Sequence, residues 1–499
     1  MAEGLGLARQ RRWMAEHPKL RAWLLALGLL LIPLWQWGLA AGAADDPDLP
    51  RKFHRTGNNK AEIFAYYHLL GLYPIGPNDG HQSGGEPRMY RPPFDDARAA
   101  MDWMQDRSRP VIMAHSPWFM DPGYVWVYAV DVLLGRKVSE ARPIVGQAIL
   151  FTAASMALFL AFWFARLEIL GAATVLLLGS APQLVGRVYL NENGFFASPV
   201  TVMLVMACVI PLCRESFRLP AWNGLLAALA GAIVALGQSI RGESIAGIGI
   251  AVVACLLLPH RPWRWRLMLV VVVLTAYALV AGAIQRHFVA AYERTSEVMI
   301  EHNRPVMLGY DVLHTTWHTI WAGLGDFGQG KGYGPYDGDV WAYVLPLARK
   351  LRIDVSHPVR AEHSINYARL AREKVLRDIA TDPVWYAGVV VRRAARTVAE
   401  TPPLRLAVGP WSASFAFPGW PLYLALLGGM AALALLRRGT VAVIALLWFG
   451  TTSMPLFVTT LNTLASESLV AYAAAAMIVA WLVEFGLSRT GYRTSQSPR

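Results

Sequence analysis

The residues best suited to chemistry are two adjacent aspartates, Asp45 and Asp46, just beyond the first apolar stretch of the chain. Neighbouring carboxylates repel each other, so one of them is expected to keep its proton to higher pH and to exchange it near neutrality. The apolar stretch covers residues 23–40 and is preceded by the cations Arg11, Arg12, Lys19 and Arg21. If those cations hold the N-terminus in the cytoplasm, the acidic pair emerges on the far side of a membrane.

The elements that must position this pair are membrane helices. Of the 499 residues, 55% are hydrophobic and 16% are charged, a composition too apolar for an ordinary soluble enzyme. A spanning helix needs roughly 20 mainly apolar residues. The sequence predicts ten spans, at 22–41, 144–165, 167–188, 197–212, 221–240, 244–259, 266–285, 417–436, 440–459 and 469–486. We therefore predict an all-α polytopic membrane protein.

Basic residues mark one side of this bundle. The connections that ten spans place in the cytoplasm are short and basic: they contain Arg166, Arg214, Arg218, the segment 260–266, Arg437, Arg438 and the C-terminal tail. This distribution follows the positive-inside rule and explains part of the net charge of +12 without a nucleic-acid partner. Both termini are predicted to be cytoplasmic, in the plasma membrane of a cell with an inner membrane of the bacterial type.

The domain organisation follows from the same spans. We predict a cytoplasmic N-terminus at 1–21, a membrane domain at 22–285 with an external loop at 44–142, an external region at 286–416, a second membrane domain at 417–486 and a cytoplasmic tail at 487–499. Connections as long as the two external segments are usually functional.

Within the external segments, short helices are expected at 58–70, 95–107 and 361–380, and an irregular Gly-, Trp- and Tyr-rich stretch at 306–343. A further helix at 384–399 carries Arg392, Arg393 and Arg396 beside apolar residues. It either lies in the membrane interface, with its arginines near lipid phosphates, or packs on the outer domain in solvent.

Other ionisable residues fall on the same external side. Glu192 precedes the fourth span, Arg241 and Glu243 lie between spans five and six, and Glu467 precedes the last span. Ionisable groups near membrane depth are costly and suggest function, although a carboxylate there can also cap a helix. Arg241 can instead pair with Glu243 or extend to the interface.

The order of several motifs resembles the membrane glycosyltransferases of the C fold, in the branch of the protein mannosyltransferases and aminoarabinose transferases. The matching features are the acidic pair, Asp121-Pro-Gly-Tyr124, Leu134-Gly135, Ala141-Arg-Pro143, Glu192, His314-Thr-Thr-Trp-His318, Gly323-Leu-Gly325, Tyr336-Asp337-Gly-Asp339 and Asp382-Pro-Val-Trp-Tyr386. Where relatives have an Arg-Tyr pair entering the last span, this chain has Glu467 to Tyr472.

The resemblance implies an enzyme that transfers a sugar from a polyprenyl-phosphate carrier to a lipid, glycan or protein acceptor on the periplasmic or external side, with inversion. It implies Asp45 or Asp46 as the general base and Arg241 as the first choice for the donor phosphate. The other expected substrate-binding residues are Glu192, Glu243, His314, His318, Arg392 and Arg393. No cofactor is required, and a divalent cation, Mg²⁺ or Mn²⁺, held by Asp45, Asp46 and Glu192 remains open.

Alternative interpretations concern the histidines and the protein class. His314 and His318 are four residues apart, but the zinc motif His-Glu-x-x-His would need a glutamate between them, so sugar stacking on Trp317 or Trp321 is the preferred use of this segment. A polysaccharide polymerase or ligase would use histidines and arginines of one late loop, here His314, His318 and Arg360. A lipid or sugar transporter would place its polar residues at the midplane of the membrane.

The topology can be tested with reporter fusions. Fusions after Asp46 and after Asp339 should report an external location, and fusions after Arg218 and Arg438 a cytoplasmic one, because the basic connections stay inside. A cytoplasmic signal after Asp46 would contradict the scheme, since the carboxylates could not then meet a donor presented outside.

Overall fold

The computed structural model describes residues 17–43, 123–135, 144–165, 168–179, 196–212, 220–258, 261–301, 316–325, 330–355 and 364–400, and residues 65, 68, 69, 71, 361, 404, 405, 416–418, 420, 421 and 424. This part of the chain is almost entirely helical. The predicted spans 440–459 and 469–486, the helix 95–107 and the C-terminal tail lie outside it, as do most of 58–70 and of the span 417–436.

Eight helices form the first part of the described chain. They are α1 (Pro18–Ala43), α2 (Tyr124–Leu133), α3 (Val145–Phe164), α4 (Glu168–Gly179), α5 (Ala197–Leu212), α6 (Pro220–Ile240), α7 (Ala246–Leu256) and α8 (Trp263–Glu301), with a 3-10 turn at Gly242–Ile245 between α6 and α7. Helices are thus found where each of the first seven spans is predicted. Four of them, α1, α3, α6 and α8, are long and apolar enough to cross a membrane.

One helix end and one whole helix differ from the prediction. Helix α8 continues to Glu301, whereas the seventh span was predicted to end at residue 285 and to open directly into the external region. The added turns carry charged residues such as Glu293 and Arg294, so the hydropathy pattern ends while the helix goes on. The helix α2 was not predicted, because its ten residues are too few for a span.

Local sequence explains where several helices begin. Pro18 and Pro220 are the first residues of α1 and α6. Proline suits this position, because the first N–H of a helix has no intrahelical acceptor and the proline ring fixes the backbone near its helical value. Gly231 in α6 allows close packing on α8, since a Cβ there would overlap the backbone oxygen of Val273.

Polar contacts identify the two ends of the bundle. Arg21, near the start of α1, donates to the backbone oxygen of Trp163 near the end of α3 and to Glu168 at the start of α4, both at 3.2 Å. Gln36 of α1 donates to Ser155 of α3 at 2.7 Å. The helices α1 and α3 are therefore antiparallel. We call this end of the bundle the Arg21 end.

The opposite end is formed by the end of α1, the starts of α3 and α5 and the end of α6. Helix α5 packs between α3 and α6, and Thr201 near its start faces Gly237 near the end of α6. We call this the Arg241 end, after the residue that follows α6. Asp45 and Asp46 follow Ala43, the last residue of α1, by two and three residues.

Four further helices form a second core. They are α9 (Thr316–Leu324), α10 (Asp337–Leu351), α11 (Ile365–Thr381) and α12 (Pro383–Glu400). A short antiparallel hairpin follows, in which β1 (Leu404–Arg405) pairs with β2 (Ala416–Phe417). The helices predicted at 361–380 and 384–399 are confirmed. The irregular stretch predicted at 306–343 is wrong where α9 and the start of α10 lie.

The residues of the first turn explain why α10 forms. Asp337 and Asp339 place negative charge at the N-terminus of the helix, where the dipole favours it. The carboxylate of Asp339 also accepts the backbone N–H of Tyr336 at 3.1 Å, which closes a capping box. Two of the glycines that suggested irregular structure, Gly330 and Gly332, lie in the loop before α10 and have positive φ values of 81° and 73°, whereas Gly323 and Gly338 lie within α9 and α10.

A buried carboxylate joins α2 to α3. Asp131 is fully buried and accepts the backbone N–H groups of Val145 and Gly146, at 3.0 and 3.1 Å. These are the first two residues of α3, whose N–H groups have no intrahelical acceptor. The negative charge also lies at the positive end of the α3 dipole. Asp131 therefore caps the first two N–H groups of α3.

We expect Asp131→Ala to destabilise the protein by about 2 kcal/mol or more, because it leaves two buried N–H donors without this acceptor. Asp131→Asn, which keeps one carbonyl oxygen, should cost less. Thermal unfolding in detergent measures both. The matched control is Leu133→Ala at an exposed position of the same helix, and an equal loss of stability in that control would contradict the role of the carboxylate.

Candidate active site

The candidate site is built around Arg241, which stands at the junction of α6 and the 3-10 turn. Its backbone N–H donates to the oxygen of Gly237 at 2.8 Å, and its oxygen accepts the N–H of Ser244 at 2.9 Å. The backbone at this position is thus held from both sides, while the side chain is only half-buried. Such an arrangement presents a permanent cation at a fixed point of the Arg241 end.

The Gly-Tyr part of the Pro-Gly-Tyr motif contacts the same junction. The N–H of Gly123 donates to the oxygen of Ser239, two residues before Arg241, at 2.8 Å. A Cβ on Gly123 would overlap Ser239, so a side chain could not fit here without moving the backbone. The glycine therefore allows the start of α2 to dock against the end of α6.

Two buried tyrosines extend this contact into the bundle. Gln147 of α3 donates to the hydroxyl of Tyr124 at 2.9 Å, and the hydroxyls of Tyr124 and Tyr128 are 2.9 Å apart. The ring of Tyr124 also lies 6.0 Å from that of Phe196, the residue before α5. Tyr124 thus links α2 to α3 and α5, and it serves as a support beneath the site rather than as an exposed ligand.

An aromatic cluster completes this end. Trp126 of α2 stacks on Phe288 of α8 with ring centroids 5.3 Å apart. His68, in the segment between α1 and α2, lies 5.7 Å from His287 and 6.3 Å from Trp126. Burial, and then the nearby charge of His287, lowers the pKa of His68 from 6.5 to about 4. His68 is therefore neutral at pH 7, and the cluster behaves as an apolar wall.

The structure describes the side chains of four predicted site residues, and these lie in two different parts of the protein. Asp45, Asp46, Glu192 and His314 lie outside the described residues, and of Glu243 only the backbone, in the 3-10 turn, is described. Arg241 directly follows α6, the helix found at the fifth predicted span. His318, Arg392 and Arg393 belong to α9 and α12, in the second core.

His318 is a structural residue of that second core. It is buried, with Nδ1 3.0 Å from the hydroxyl of Tyr367 and Nε2 2.9 Å from Oδ1 of Asp337. Because an ionised carboxylate can only accept, Nε2 donates its N–H to Asp337. Both nitrogens are thus used in holding α9 to α10 and α11.

Trp321 cannot stack on a sugar, so the expectation of sugar stacking on Trp317 or Trp321 is wrong for Trp321. It is fully buried, and its ring lies 4.7 Å from the rings of both Tyr333 and Tyr343. The ammonium of Lys374 lies 4.4 Å from the ring of Tyr333 and 5.3 Å from that of Trp321. This aromatic box is filled by the protein's own lysine.

Asp378 fixes Lys374 in the box. Its carboxylate accepts from Nζ of Lys374 at 2.6 Å and from the hydroxyl of Tyr333 at 2.9 Å. Burial opposes ionisation of Asp378, but the hydrogen bonds from Lys374 and Tyr333 and the positive charge of Lys374 outweigh it and lower its pKa. Burial together with the neighbouring carboxylate raises the pKa of Tyr333.

The Asp-Pro motif before α12 is a helix start. Oδ1 of Asp382 accepts the N–H of Trp385 at 2.9 Å, and Pro383 is the first residue of the helix. The hydrogen bond from Trp385, together with Lys331, lowers the pKa of Asp382. Of the two arginines predicted to bind the donor, Arg393 is buried and Arg392 is exposed on α12.

Metal binding receives no support from the second core or the bundle. Among the described residues, no group of three or more His, Cys, Asp and Glu side chains is arranged to hold a metal ion. The three acids proposed as cation ligands, Asp45, Asp46 and Glu192, lie elsewhere in the chain, outside those residues.

Sequence reasoning missed the support residues of the site. His68 and His287 are 219 positions apart in the chain (287 − 68), and Gln147 lies in an apolar helix, so no local pattern connects them. One signal was available for Gln147: a polar amide inside a predicted span must find a partner there. Tyr124, already noted within the Pro-Gly-Tyr motif, is that partner.

Comparison with known proteins identifies solved structures with a similar fold. No family model matches the chain, and no curated protein matches it. The chain is similar to a solved structure of the archaeal oligosaccharyltransferase AglB from Archaeoglobus fulgidus in complex with an inhibitory peptide and a dolichol-phosphate: the TM-score is 0.50, the identity is 12%, and 98% of this chain and 53% of that chain are covered. For the oligosaccharyltransferase of the same organism in the apo form, the TM-score is 0.46, the identity is 12%, and the coverage is 95% of this chain and 52% of that chain.

The first likeness confirms the predicted fold class, that of an all-α polytopic membrane protein, and shows that the chain shares its fold with that oligosaccharyltransferase structure. The chain spans about half the length of the oligosaccharyltransferase chains that it matches.

Acid should destabilise the wall at the Arg241 end through His68. The unfolded chain binds a proton at this residue below pH 6.5, but the folded chain does so only below about pH 4. The stability that the neutral ring contributes is therefore complete above pH 6.5 and is lost progressively as the pH falls towards 4. In His68→Phe the unfolding temperature should fall less steeply over this interval than in the wild type.

The matched control is His17→Phe, at an exposed residue just before α1. It should keep the pH dependence of the wild type. If His68→Phe also keeps it, the burial of His68 does not set the acid response.

Proposed function

We propose that this protein is an integral-membrane glycosyltransferase that moves a sugar from a polyprenyl-phosphate donor to an acceptor on the external side of the membrane, with inversion. Asp45 or Asp46 is the general base, and Arg241 binds the donor phosphate. The observation that carries the proposal is the likeness in fold to an oligosaccharyltransferase over 98% of the chain. Because fold does not fix function, the residues must carry the rest.

The position of Arg241 supports its role. Asp45 follows the end of α1 by two residues, and α1 finishes at the Arg241 end of the bundle. A carboxylate and an arginine would then lie at the same face of the membrane, which a transfer between two substrates needs. The buried support beneath Arg241, from Gly123 to Tyr124, keeps the end of α6 in place.

The reaction assigns one task to each group. The acceptor nucleophile attacks the anomeric carbon from the face opposite to the phosphate and gives its proton to the aspartate. The bond from the anomeric carbon to the phosphate oxygen breaks, and the electron pair stays on the phosphate. Arginine suits the departing phosphate because it remains charged and offers a planar fork of donors. Attack from the opposite face inverts the anomeric centre.

A lipid-linked donor fits a site at the end of membrane helices. The phosphate would lie at the level of Arg241 while the polyprenyl chain stays among apolar helices. The dolichol-phosphate bound by the solved oligosaccharyltransferase supports this class of donor. Glu192 and Glu243 are proposed to bind hydroxyl groups of the sugar. Arg393, the second-choice arginine for the donor phosphate, is buried on the second core and is not proposed for that role. A divalent cation would have to use the acids that follow α1 and precede α5.

The polymerase or ligase alternative is weakened by one residue. It relied in part on His318, and both ring nitrogens of His318 are hydrogen-bonded within the second core. The transporter alternative expects charged groups at mid-membrane. The polar contact described between α1 and α3 there, Gln36 with Ser155, joins neutral groups.

The test is transfer by purified protein in nanodiscs, with radiolabelled polyprenyl-phosphate sugars and a membrane glycolipid extract as acceptor. One of Asp45→Asn and Asp46→Asn should lower the rate by about 10²–10⁴-fold, the usual contribution of a general base. Arg241→Ala should lower it by about 10²–10³-fold, as expected when a donor to developing negative charge is lost. Arg241→Lys should retain part of the rate, because it keeps the charge without the fork.

Arg264→Ala is the matched control, since this exposed arginine lies at the start of α8, at the Arg21 end. Its rate should equal that of the wild type. Transfer that survives both aspartate substitutions would move the base elsewhere. A well-folded wild type that transfers none of the donors would favour the polymerase or transporter alternative.

A further inference from the structure

A stripe of apolar side chains on α12 is exposed. Val384, Ala387, Val391 and Ala395 follow each other at intervals of three or four residues, so they share one face of the helix. The exposed fractions of the two valines are 80% and 65%. We call these four residues the α12 stripe. An exposed apolar stripe along one helix face is a candidate binding surface when its surroundings also fit a partner.

The other face of α12 holds it on the second core. Val389 and Arg393 are almost fully buried, and Trp385 and Tyr386 pack against the core formed by α9, α10 and α11. The helix therefore has one face inside the protein, and the α12 stripe points away from that core.

Positive charge runs along one edge of the stripe. Arg392 is exposed beside Val391, and Arg396, which is half-buried, follows one turn later along the helix. The Nη2 atom of Arg392 lies 3.6 Å from the position that a Cβ on Gly388 would occupy, so its guanidinium extends along the helix beside the stripe. The sequence of α12 contains no acidic residue before Glu400, its last residue. An apolar stripe edged by arginines is complementary to a bilayer surface with anionic headgroups.

The connection after α12 limits its distance from the membrane. Leu404 lies four residues after Glu400 and pairs with Phe417, and Trp420, three residues further, begins the helical residues described within the predicted span 417–436. An extended chain covers at most about 3.5 Å per residue and paired strands lie about 5 Å apart, so Glu400 is within about 30 Å of Trp420. The end of α12 is therefore close to the surface where that span would enter the bilayer.

We propose that α12 docks on the bilayer that holds the helix bundle. The α12 stripe enters the boundary between headgroups and acyl chains, and Arg392 and Arg396 bind the phosphates of anionic phospholipids. Docking fixes the second core over the membrane surface. It assigns Arg392 to bulk lipid rather than to the sugar donor, and it requires only that the protein is membrane-embedded, not that it transfers sugar.

The test uses a nitroxide at Val391→Cys in the full-length protein, in nanodiscs that contain phosphatidylglycerol. Oxygen partitions into the acyl region and a charged nickel chelate stays in water, so their collision rates report whether the label is in lipid. The label at Val391 should be reached by oxygen and shielded several-fold from the nickel chelate. The matched control, Ala342→Cys at an exposed position of α10, should remain open to the nickel chelate.

The role of positive charge in docking is tested by replacing Arg392 and Arg396 with glutamine, or by using nanodiscs of phosphatidylcholine alone. Either change should return the Val391 label towards the accessibility of the Ala342 label. Val384→Cys provides a second position on the stripe if the first variant does not fold, and wild-type protein labelled in parallel corrects for the three native cysteines.

Two outcomes would overturn the proposal. In one, the nickel chelate reaches the stripe as freely as the Ala342 label in phosphatidylglycerol nanodiscs. In the other, broadening between two nitroxides shows that a second copy of the chain covers the stripe. Neither outcome bears on the transfer assay, so a failure of lipid docking is distinguishable from a failure of the proposed function.

Discussion

In a bilayer, every backbone N–H and C=O group at a helix end must find its partner within the protein or at the interface, and the described bundle depends on how it meets this constraint. At the Arg241 end, the carboxylate of Asp131 accepts the first two amides of α3. At the Arg21 end, Arg21 donates to an oxygen near the end of α3, and Arg266 donates to the last oxygen of α7 at 2.9 Å. Anion and cation each lie where the helix dipole favours them.

The same contacts explain why the bundle has two chemically different ends. Arginines that satisfy carbonyl groups lie at the end predicted to be cytoplasmic, so part of the charge asymmetry read from the sequence also stabilises helix ends. The opposite end closes through backbone contact instead, where Gly123 approaches Ser239. That closure is made by backbone groups on both sides of the contact, and the side chain of Arg241 beside it is half-buried.

The helices α1 and α3–α8 could be predicted because each lies in an apolar run, which is a property of composition. The helix α2 could not, since its ten residues are stabilised by Gln147 and by amides of α3 that lie further along the chain. His318 was misread for the same reason: its partner Tyr367 is 49 residues away. Of the candidate site, the sequence located Arg241 at a helix end. The contact between neutral His68 and Trp126 could be recognised only from the folded structure.

The low sequence identity to the oligosaccharyltransferase is explained by what a membrane bundle requires of its residues. Many sequences satisfy an apolar run of the right length, so a membrane bundle constrains composition more than residue identity, and a likeness in fold persists at 12% identity. Positions that a single residue type must fill are few and lie where backbones meet, as at Gly123 and Gly231, where a Cβ would overlap a neighbour. Substrate choice would then rest on the segments that connect the helices, because they do not have to satisfy the packing that fixes the bundle.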